Sequence, residues 1–536
     1  MSSQIEKVLL LDGVDPICAE ELTKSGLQVT VKGKQTTEQL LELVKQYDAI
    51  VVRSATKVTA EVLAAPGSRL KLVGRAGTGV DNIDVQAATR KGVIVMNTPG
   101  GNTLSAAEHT CVLICSLSRS VPQACQSLKQ GKWDRKTFLG NELFGKTLAI
   151  IGLGRIGREV STRMKAFGMN VIGYDPMVPA EIAQSWGIEF QPLDQIWANA
   201  DYITVHVPLI PATRNLINEK VFAACKPGVR ILNVARGGII DETALLQALE
   251  SGKCGGAALD VFLEEPPTDF TLCQHPKIIC TPHLGANTVE AQKRVALEIA
   301  QQMVDMIQGR PLVGVINAPA LSSAMSESSR PWIQLAESLG YLARNLSQSA
   351  DSPAITVQVT LYGSELLAMK SFIGSAVAVG MMRGVTPNGI NLVNAPLLAK
   401  ESGITLSVEA AEEGVQFPVT SVGSDAVQLR VTVGLNIHTL VGSSSGGLPT
   451  LYALDGAIWE SGLTLGRNML FFRAAKAASP LANIATQLVA TQAALVSLLS
   501  SAPSSKEVWH VARTEENVTF PQTTIPNTQL VAQLMF

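Results

Sequence analysis

One short passage constrains the fold more than any other in the chain. The apolar run Leu148-Ala149-Ile150-Ile151 leads straight into Gly152-Leu153-Gly154-Arg155-Ile156-Gly157, and residues 158–166 continue with helical periodicity. A strand entering a helix through G-x-G-x-x-G needs its glycines. A side chain would block the tight turn, the approach of backbone to a pyrophosphate, or the packing of helix on strand. The helix N-terminus then presents unpaired N–H groups to phosphate oxygens. The next apolar run, 170–174, ends in Asp175, at the distance where a carboxylate meets both hydroxyls of an adenosine ribose. That carboxylate repels a 2′-phosphate and no arginine follows it directly, so the expected cofactor is NAD, not NADP.

The same alternation of apolar runs and amphipathic stretches recurs on both sides of this passage. Residues 8–11, 29–31, 49–52, 70–73 and 93–96 read as buried strands, with Leu40, Leu41, Val44 and Tyr47 on one face of an intervening helix. A long apolar-periodic segment over 105–128 precedes a second alternating series that runs from Leu148 to about Thr281. The fold class expected is α/β, with two doubly wound parallel-sheet domains in tandem. A helix carrying Val295, Ile299, Met303, Met306 and Ile307 follows and is stopped by Gly309 and Pro311. At 536 residues the chain is too long for these two cores alone. The serine-rich stretch 322–330 reads as a linker, and the serine- and glycine-rich 441–449 as a second division, leaving two smaller α+β units. In the last unit, 468–473 and 507–512 read as strands and 480–490 as a helix.

Three strand-to-loop junctions carry candidate chemistry: Asn233-Val234-Ala235-Arg236, then Asp260-Val261-Phe262 leading to Glu264-Glu265-Pro266, and Thr281-Pro282-His283-Leu284-Gly285. Ligands of open parallel sheets sit beyond the carboxyl ends of the strands. Oxidising a secondary alcohol removes a hydride from carbon and a proton from oxygen, so a base titrating near neutrality is required, and His283 fits. Glu265 is the carboxylate expected to favour its charged form, and Arg236 the guanidinium that pairs with a substrate carboxylate. His206, in another strand-end phrase, is the rival for the acid–base role.

Composition excludes several other classes. With 43 basic against 45 acidic residues there is no field to hold nucleic acid. No apolar stretch approaches the roughly 20 residues of a membrane helix, and no export signal is expected, so the location expected is cytoplasmic. The eight cysteines show no C-x-x-C pair and are expected as reduced thiols. Cys111 and Cys115 lie one helical turn apart near His109, but nothing else completes a ligand set, and no metal is expected.

Together with Val52-Arg53-Ser54-Ala55-Thr56, Gly74-Arg75-Ala76-Gly77-Thr78-Gly79-Val80-Asp81-Asn82, Ala235-Arg236-Gly237-Gly238 and Pro282-His283-Leu284-Gly285-Ala286, these residues resemble the D-isomer-specific 2-hydroxy acid dehydrogenases, over nearly the whole chain. The likeness is to long members of animal type that oxidise 3-phosphoglycerate with NAD at the first step towards L-serine. It implies His283, Glu265 and Arg236 as the catalytic set. NAD contacts are implied at Thr78, Gly152, Gly154, Arg155, Ile156, Gly157, Asp175, Ala235, Asp260, Gly285 and Ala286. They are also implied at Val207, where most members carry threonine and only backbone contact remains here. Substrate contacts are implied at Arg53, Arg75, Gly77, Asn102 and Arg135.

The likeness further implies a split substrate-binding domain (1–99 with a return segment 288–318) hinged to the NAD domain (100–287). An intervening domain (330–445), an ACT-like regulatory domain (450–536) and a homotetramer complete the organisation it implies. The loop 477–480 lacks the asparagine and glycine of serine-inhibited bacterial members, which argues against serine feedback. Two alternatives share the cofactor turn, namely reductases of glyoxylate or hydroxypyruvate and NAD-sensing corepressors. Both lack the C-terminal pair of domains.

Overall fold

The computed structural model describes all residues except 1–4, 325, 348–353, 385–388, 412–424, 476–479, 491–493, 503–506, 518–524 and 526–527. Five parallel strands open the chain: β1 (Lys7–Leu10), β2 (Gln28–Val31), β3 (Ala49–Val52), β4 (Leu72–Arg75) and β5 (Ile94–Met96), in the order β2-β1-β3-β4-β5. All four residues of β3 are buried, which is why the run reads as continuously apolar: helices cover both faces of a parallel sheet. After the helix Val289–Ile307 the chain returns to this sheet. Asn317 receives the Val95 N–H at 2.9 Å and donates to the Val93 carbonyl at 2.8 Å, fastening the return segment along β5.

The second sheet has seven parallel strands: β6 (Thr147–Ile151), β7 (Asn170–Tyr174), β8 (Glu189–Phe190), β9 (Tyr202–Val205), β10 (Val229–Asn233), β11 (Cys254–Leu259) and β12 (Ile278–Cys280). Their order, β12-β11-β10-β9-β6-β7-β8, reverses between β6 and β9, and a reversal of this kind opens a crevice at the carboxyl ends of the strands. Two apolar cores lie on its two faces, one around Ile203 and Ile231, the other around Ile150 and Leu232. The apolar segment 105–128 is two helices, Thr103–Arg119 and Val121–Lys129, separated by Ser120 in the left-handed region (φ 51°).

The chain divides into two compact units, one of Met1–Arg75, Gly79–Asn97 and Ile299–Phe536, the other of Ala76–Thr78 and Thr98–Glu298. The division falls inside the helix Val289–Ile307, and Ala76–Thr78 belong with the second sheet.

Beyond the helix Arg330–Leu346 come two further sheets. The first contains β13 (Ile355–Tyr362), β14 (Ile404–Ala410), β15 (Ala426–Val433), β16 (Asn436–Ser445), β17 (Leu448–Leu454) and β18 (Ala457–Thr464); only β13 and β14 pair in parallel. The second contains β19 (Asn468–Ala475), β20 (Leu495–Ser500), β21 (Glu507–Thr514) and β22 (Thr528–Met535), with the helix Leu481–Ala490 setting Ile484 and Leu488 against Leu470 and Phe472.

Here the sequence expectation needs correction, because 441–449 is no division between domains. It supplies the facing ends of β16 and β17, and Gly446 (φ 58°) and Gly447 (φ 81°) form the two-residue hairpin turn between them. Glycine and serine punctuate hairpins and linkers alike, and the change of sheet comes instead at 465–467. The stretch 322–330 is likewise no extended linker: a short helix, Leu321–Ala324, and a 3-10 turn, Glu327–Ser329, lead into Arg330–Leu346, with Ser329 buried. Residues 477–479, which bear on serine feedback, lie outside the described set. Among the described residues no helix is long and apolar enough to cross a membrane.

Candidate active site

The cofactor turn is shaped by what its residues lack. Gly152 has φ 100°, and a Cβ there would stand 2.5 Å from the His206 carbonyl oxygen and 2.9 Å from Val207 Cγ1. A Cβ on Gly157 would run into the Gly152 carbonyl. Gly154, by contrast, faces open space, and the helix Arg155–Ala166 that starts beside it has no side chain capping its first N–H groups. Unpaired donors beside an open cradle fit the pyrophosphate of a dinucleotide. At the end of β7, Asp175 accepts the Leu153 N–H and the Met177 N–H, each at 2.9 Å, so its carboxylate is fixed at the edge of the turn. Ile156 is half-buried behind the helix start. The Arg155 guanidinium lies over Gly100, where a Cβ would meet its Nη1 at 2.8 Å.

Elsewhere along the same sheet edge, the loop after β12 is built around a buried carboxylate. Asp260 is fully buried; its Oδ1 accepts the Thr281 hydroxyl (2.6 Å) and the Leu284 N–H (2.7 Å), and its Oδ2 the Gly285 N–H (2.8 Å). Burial pushes its pKa up, but the hydrogen bonds from His109, Thr281, Leu284 and Gly285 outweigh burial and leave it below the usual carboxylate range. The Asp260 carbonyl also receives the His283 N–H at 2.9 Å. So held, His283 adopts φ 54°, in the left-handed region that few residues other than glycine enter. Its Nδ1 lies 2.6 Å from Glu265 Oε2. The Glu265 hydrogen bond raises the pKa of His283 above the ordinary imidazole value, against the lowering effects of burial and of Arg236. The Glu265–Pro266 peptide is cis, and Glu265 Oε1 accepts the Phe262 N–H at 3.1 Å.

Arg236 stands on the neighbouring loop. Asn233 shapes that loop: its Oδ1 accepts the Ala235 N–H (3.0 Å) and its Nδ2 donates to the Arg236 carbonyl (2.8 Å). Gly237 lets this loop press against 261–263, because any Cβ there would overlap the Phe262 carbonyl. Arg236 Nη1 donates to the Ala235 carbonyl at 2.7 Å. Gly285 is buried against Val234, and the Ala286 carbonyl accepts from Gln292 at 2.9 Å. Sequence reasoning gave no role to Asn233, Gly237 or Thr281, and weighed His109 only as a neighbour of Cys111 and Cys115. The first three sit inside the motif phrases, but only a structure shows that they aim Arg236 and His283. Asp260, expected as an NAD contact, spends its carboxylate on the 281–285 loop.

Burial pulls the His206 imidazole down to about 4, which disfavours it as the acid–base group near neutrality; its Nε2 lies 3.1 Å from Thr204 Oγ1. Within the same unit, Thr78 Oγ1 lies 2.7 Å from Asn102 Oδ1, and the Gly77 carbonyl accepts the Thr98 N–H at 3.1 Å. Arg135 is exposed on the loop after the helix Val121–Lys129. Arg53 and Arg75 belong to the other unit, at the carboxyl ends of the neighbouring strands β3 and β4. There Asn82 ties them together, donating to the Arg53 carbonyl (2.8 Å) and accepting from Arg75 Nε (3.2 Å). Among the described residues no group of three His, Cys, Asp or Glu is placed to hold a metal ion.

Residues 111–285 match the family described as D-isomer specific 2-hydroxyacid dehydrogenase, NAD binding domain, and 328–435 the D-3-phosphoglycerate dehydrogenase intervening domain. The chain is 48% identical to the D-3-phosphoglycerate dehydrogenases of Sus scrofa over 514 residues and of Homo sapiens over 515, each alignment covering 95% of both chains. It belongs to the D-3-phosphoglycerate dehydrogenase family. Among solved structures, a glyoxylate reductase from Paecilomyes thermophila is 33% identical with a TM-score of 0.53, covering 58% of this chain and 98% of that one. A D-lactate dehydrogenase from Aquifex aeolicus, complexed with NAD and lactic acid, is 29% identical with a TM-score of 0.51, covering 56% and 96%. Such neighbours account for little more than half of this chain. Family membership over nearly the full length makes it an NAD-dependent dehydrogenase, and the shorter reductases are not the favoured reading.

Proposed function

We propose that the chain oxidises 3-phospho-D-glycerate to 3-phosphohydroxypyruvate, the first step of L-serine biosynthesis, with His283 as acid–base, Glu265 as its partner and Arg236 on the substrate carboxylate. The observation that carries this reading is the 2.6 Å contact between His283 Nδ1 and Glu265 Oε2 on a loop beside Arg236. With Nδ1 donating to a carboxylate, the imidazole keeps Nε2 as its basic atom, and that atom takes the proton of the C2 hydroxyl. NAD, when bound, supplies the acceptor for the C2 hydride. Glu265 stabilises the imidazolium so formed, and Arg236 forms a two-point pair with the carboxylate that orients C2. The turn 152–157 and Asp175 are the proposed cradle for pyrophosphate and ribose; Val207 and Ala235 follow β9 and β10 at the same end of the sheet, and Thr78 is assigned by family likeness. By family likeness we assign Arg53, Arg75 and Arg135 to the phosphate, Asn102 to the carboxylate and Gly77 to substrate binding.

A homotetramer is the assembly proposed. In its favour, Val121, Leu128, Trp133, Leu139 and Phe144 are 51–91% exposed within residues 121–144, apolar side chains that a partner chain would cover. A cytoplasmic location is proposed on the eight free thiols, which suit a reducing compartment.

The test is His283→Ala. We expect kcat to fall by roughly 10²–10⁴, the usual worth of a general base, while NADH affinity stays within about threefold. An unchanged steady-state rate removes His283 from the mechanism.

A further inference from the structure

His109 lies on the helix Thr103–Arg119, far in sequence from the loops that carry the candidate catalytic groups, and the sequence set it only beside Cys111 and Cys115. Its imidazole is largely buried, with a side-chain exposure of 18%. Nε2 sits 3.1 Å from Thr281 Oγ1 and 3.3 Å from Asp260 Oδ1. Hydrogen-bond accounting fixes which way each proton points. Asp260 is an ionised carboxylate and only accepts; the Thr281 hydroxyl spends its one proton on Asp260 Oδ1 at 2.6 Å. Both atoms facing His109 Nε2 are therefore acceptors, so the imidazole must carry its proton on Nε2 and donate across the pair.

We infer that His109 is a positioning residue for the acid–base loop, acting through Thr281 and Asp260 to hold His283 in place. The chain of contacts is short. His109 donates to the Thr281–Asp260 pair; Asp260 in turn receives the Leu284 and Gly285 N–H groups through its side chain and the His283 N–H through its carbonyl. His283 is thus flanked on both sides in sequence by residues tied to one carboxylate, and His109 is the donor to that carboxylate that comes from outside the loop. The backbone at His283 is in a conformation the residue does not favour, so the tethers have strain to oppose. Withdrawing one donor leaves the buried Asp260 under-satisfied and the loop free to relax. A displacement of the order of 1 Å at a proton-transfer site costs about 100-fold in rate, so a smaller relaxation gives about tenfold.

This inference rests on the acid–base reading of His283, and the experiment separates the two. In the full-length protein we compare His109→Leu, which fills the space without a donor, with His109→Gln, whose side-chain amide donates from a similar reach. For each, kcat, KM for 3-phosphoglycerate, NADH affinity by fluorescence titration and Tm are measured, with His283→Ala alongside. Expected are a kcat about tenfold lower in His109→Leu, KM and NADH affinity within about twofold of the parent, and recovery of kcat to within about threefold in His109→Gln. A packing role alone predicts that both variants lose Tm while their kcat per folded molecule stays unchanged, and that result overturns the inference. So does a His109→Gln as slow as His109→Leu. If His283→Ala itself turns over normally, the reading of the site has failed, whatever His109 does.

Discussion

The turn 152–157 and the loop 281–285 occupy carboxyl ends of strands in the same sheet, yet they are held by opposite means. The turn exists because side chains are missing: at Gly152 and Gly157 a single added carbon meets a backbone carbonyl. The loop exists because a side chain is present: one buried carboxylate gathers a hydroxyl and two N–H groups from the loop it supports. A site held by close approach fails when bulk is added and is indifferent to charge. A site held by an acceptor tolerates a change of shape but fails when the acceptor goes or is protonated. The two regions therefore predict different kinds of variant damage within one domain.

Gly152→Ala gives the largest effect expected. The added methyl must fit a backbone at φ 100° and stand 2.5 Å from the His206 carbonyl oxygen, a backbone atom that cannot swing aside as a side-chain tip would. We expect NADH affinity, followed by fluorescence titration, to weaken by about 100-fold or more, with Tm lowered as β6 and β9 are pushed apart. Affinity within threefold of the parent breaks the claim that close approach makes this turn.

Asp260→Asn is next, and it preserves shape almost perfectly. The amide nitrogen must then face N–H donors, leaving at least one buried donor unpaired at a cost of about 1–3 kcal/mol. The folded-state pKa of Asp260 lies below its unfolded value, so its contribution is present above the unfolded pKa and disappears as pH falls through the depressed folded one. Denaturant titrations should accordingly show the variant less stable than the parent at pH 7, with the gap closing in acid. A gap that is the same at pH 7 and at strongly acidic pH shows that the charge of Asp260 does not hold the loop.

The contrast also explains what the sequence disclosed. A turn made by absent side chains writes itself into the chain as three glycines at fixed spacing after an apolar run, with Asp175 one strand later, and it is legible without a structure. The parallel strands are legible for a similar reason, since β3, buried on both faces, reads as an unbroken apolar run. The loop's support is not, because Asp260, Thr281 and His109 are far apart in sequence, and the phrases that contain Asp260 and Thr281 do not show that the three meet. Only folding puts His109 Nε2 3.1 Å from Thr281. In the C-terminal third the same limit took another form: Gly446 and Gly447 mark a turn, but whether a turn joins two strands of one sheet or two domains depends on pairing partners distant in the chain.

Glu265→Gln gives the smallest loss at the optimum and sharpens the comparison most, because it touches the loop's chemistry without touching its anchor. Glu265 raises the pKa of His283 chiefly through the 2.6 Å hydrogen bond, so a neutral amide in its place lowers that pKa. Oxidation needs the neutral imidazole, and the rising limb of its pH profile should move to lower pH. Reduction needs the imidazolium, and its falling limb should move the same way. Reduction on that falling limb then slows about tenfold for every pH unit the limb moves, while oxidation at pH 9 loses far less. Limbs displaced in opposite directions, or not at all, mean that Glu265 serves only to hold the Phe262 backbone, which it also does through Oε1. Tm should barely change, since both partners are partly solvated, with side-chain exposures of 48% and 35%, and an exposed pair contributes little to folding. A large fall in Tm instead places Glu265 with Asp260 among the supports of the loop, and the division between anchor and chemistry drawn at 281–285 then disappears.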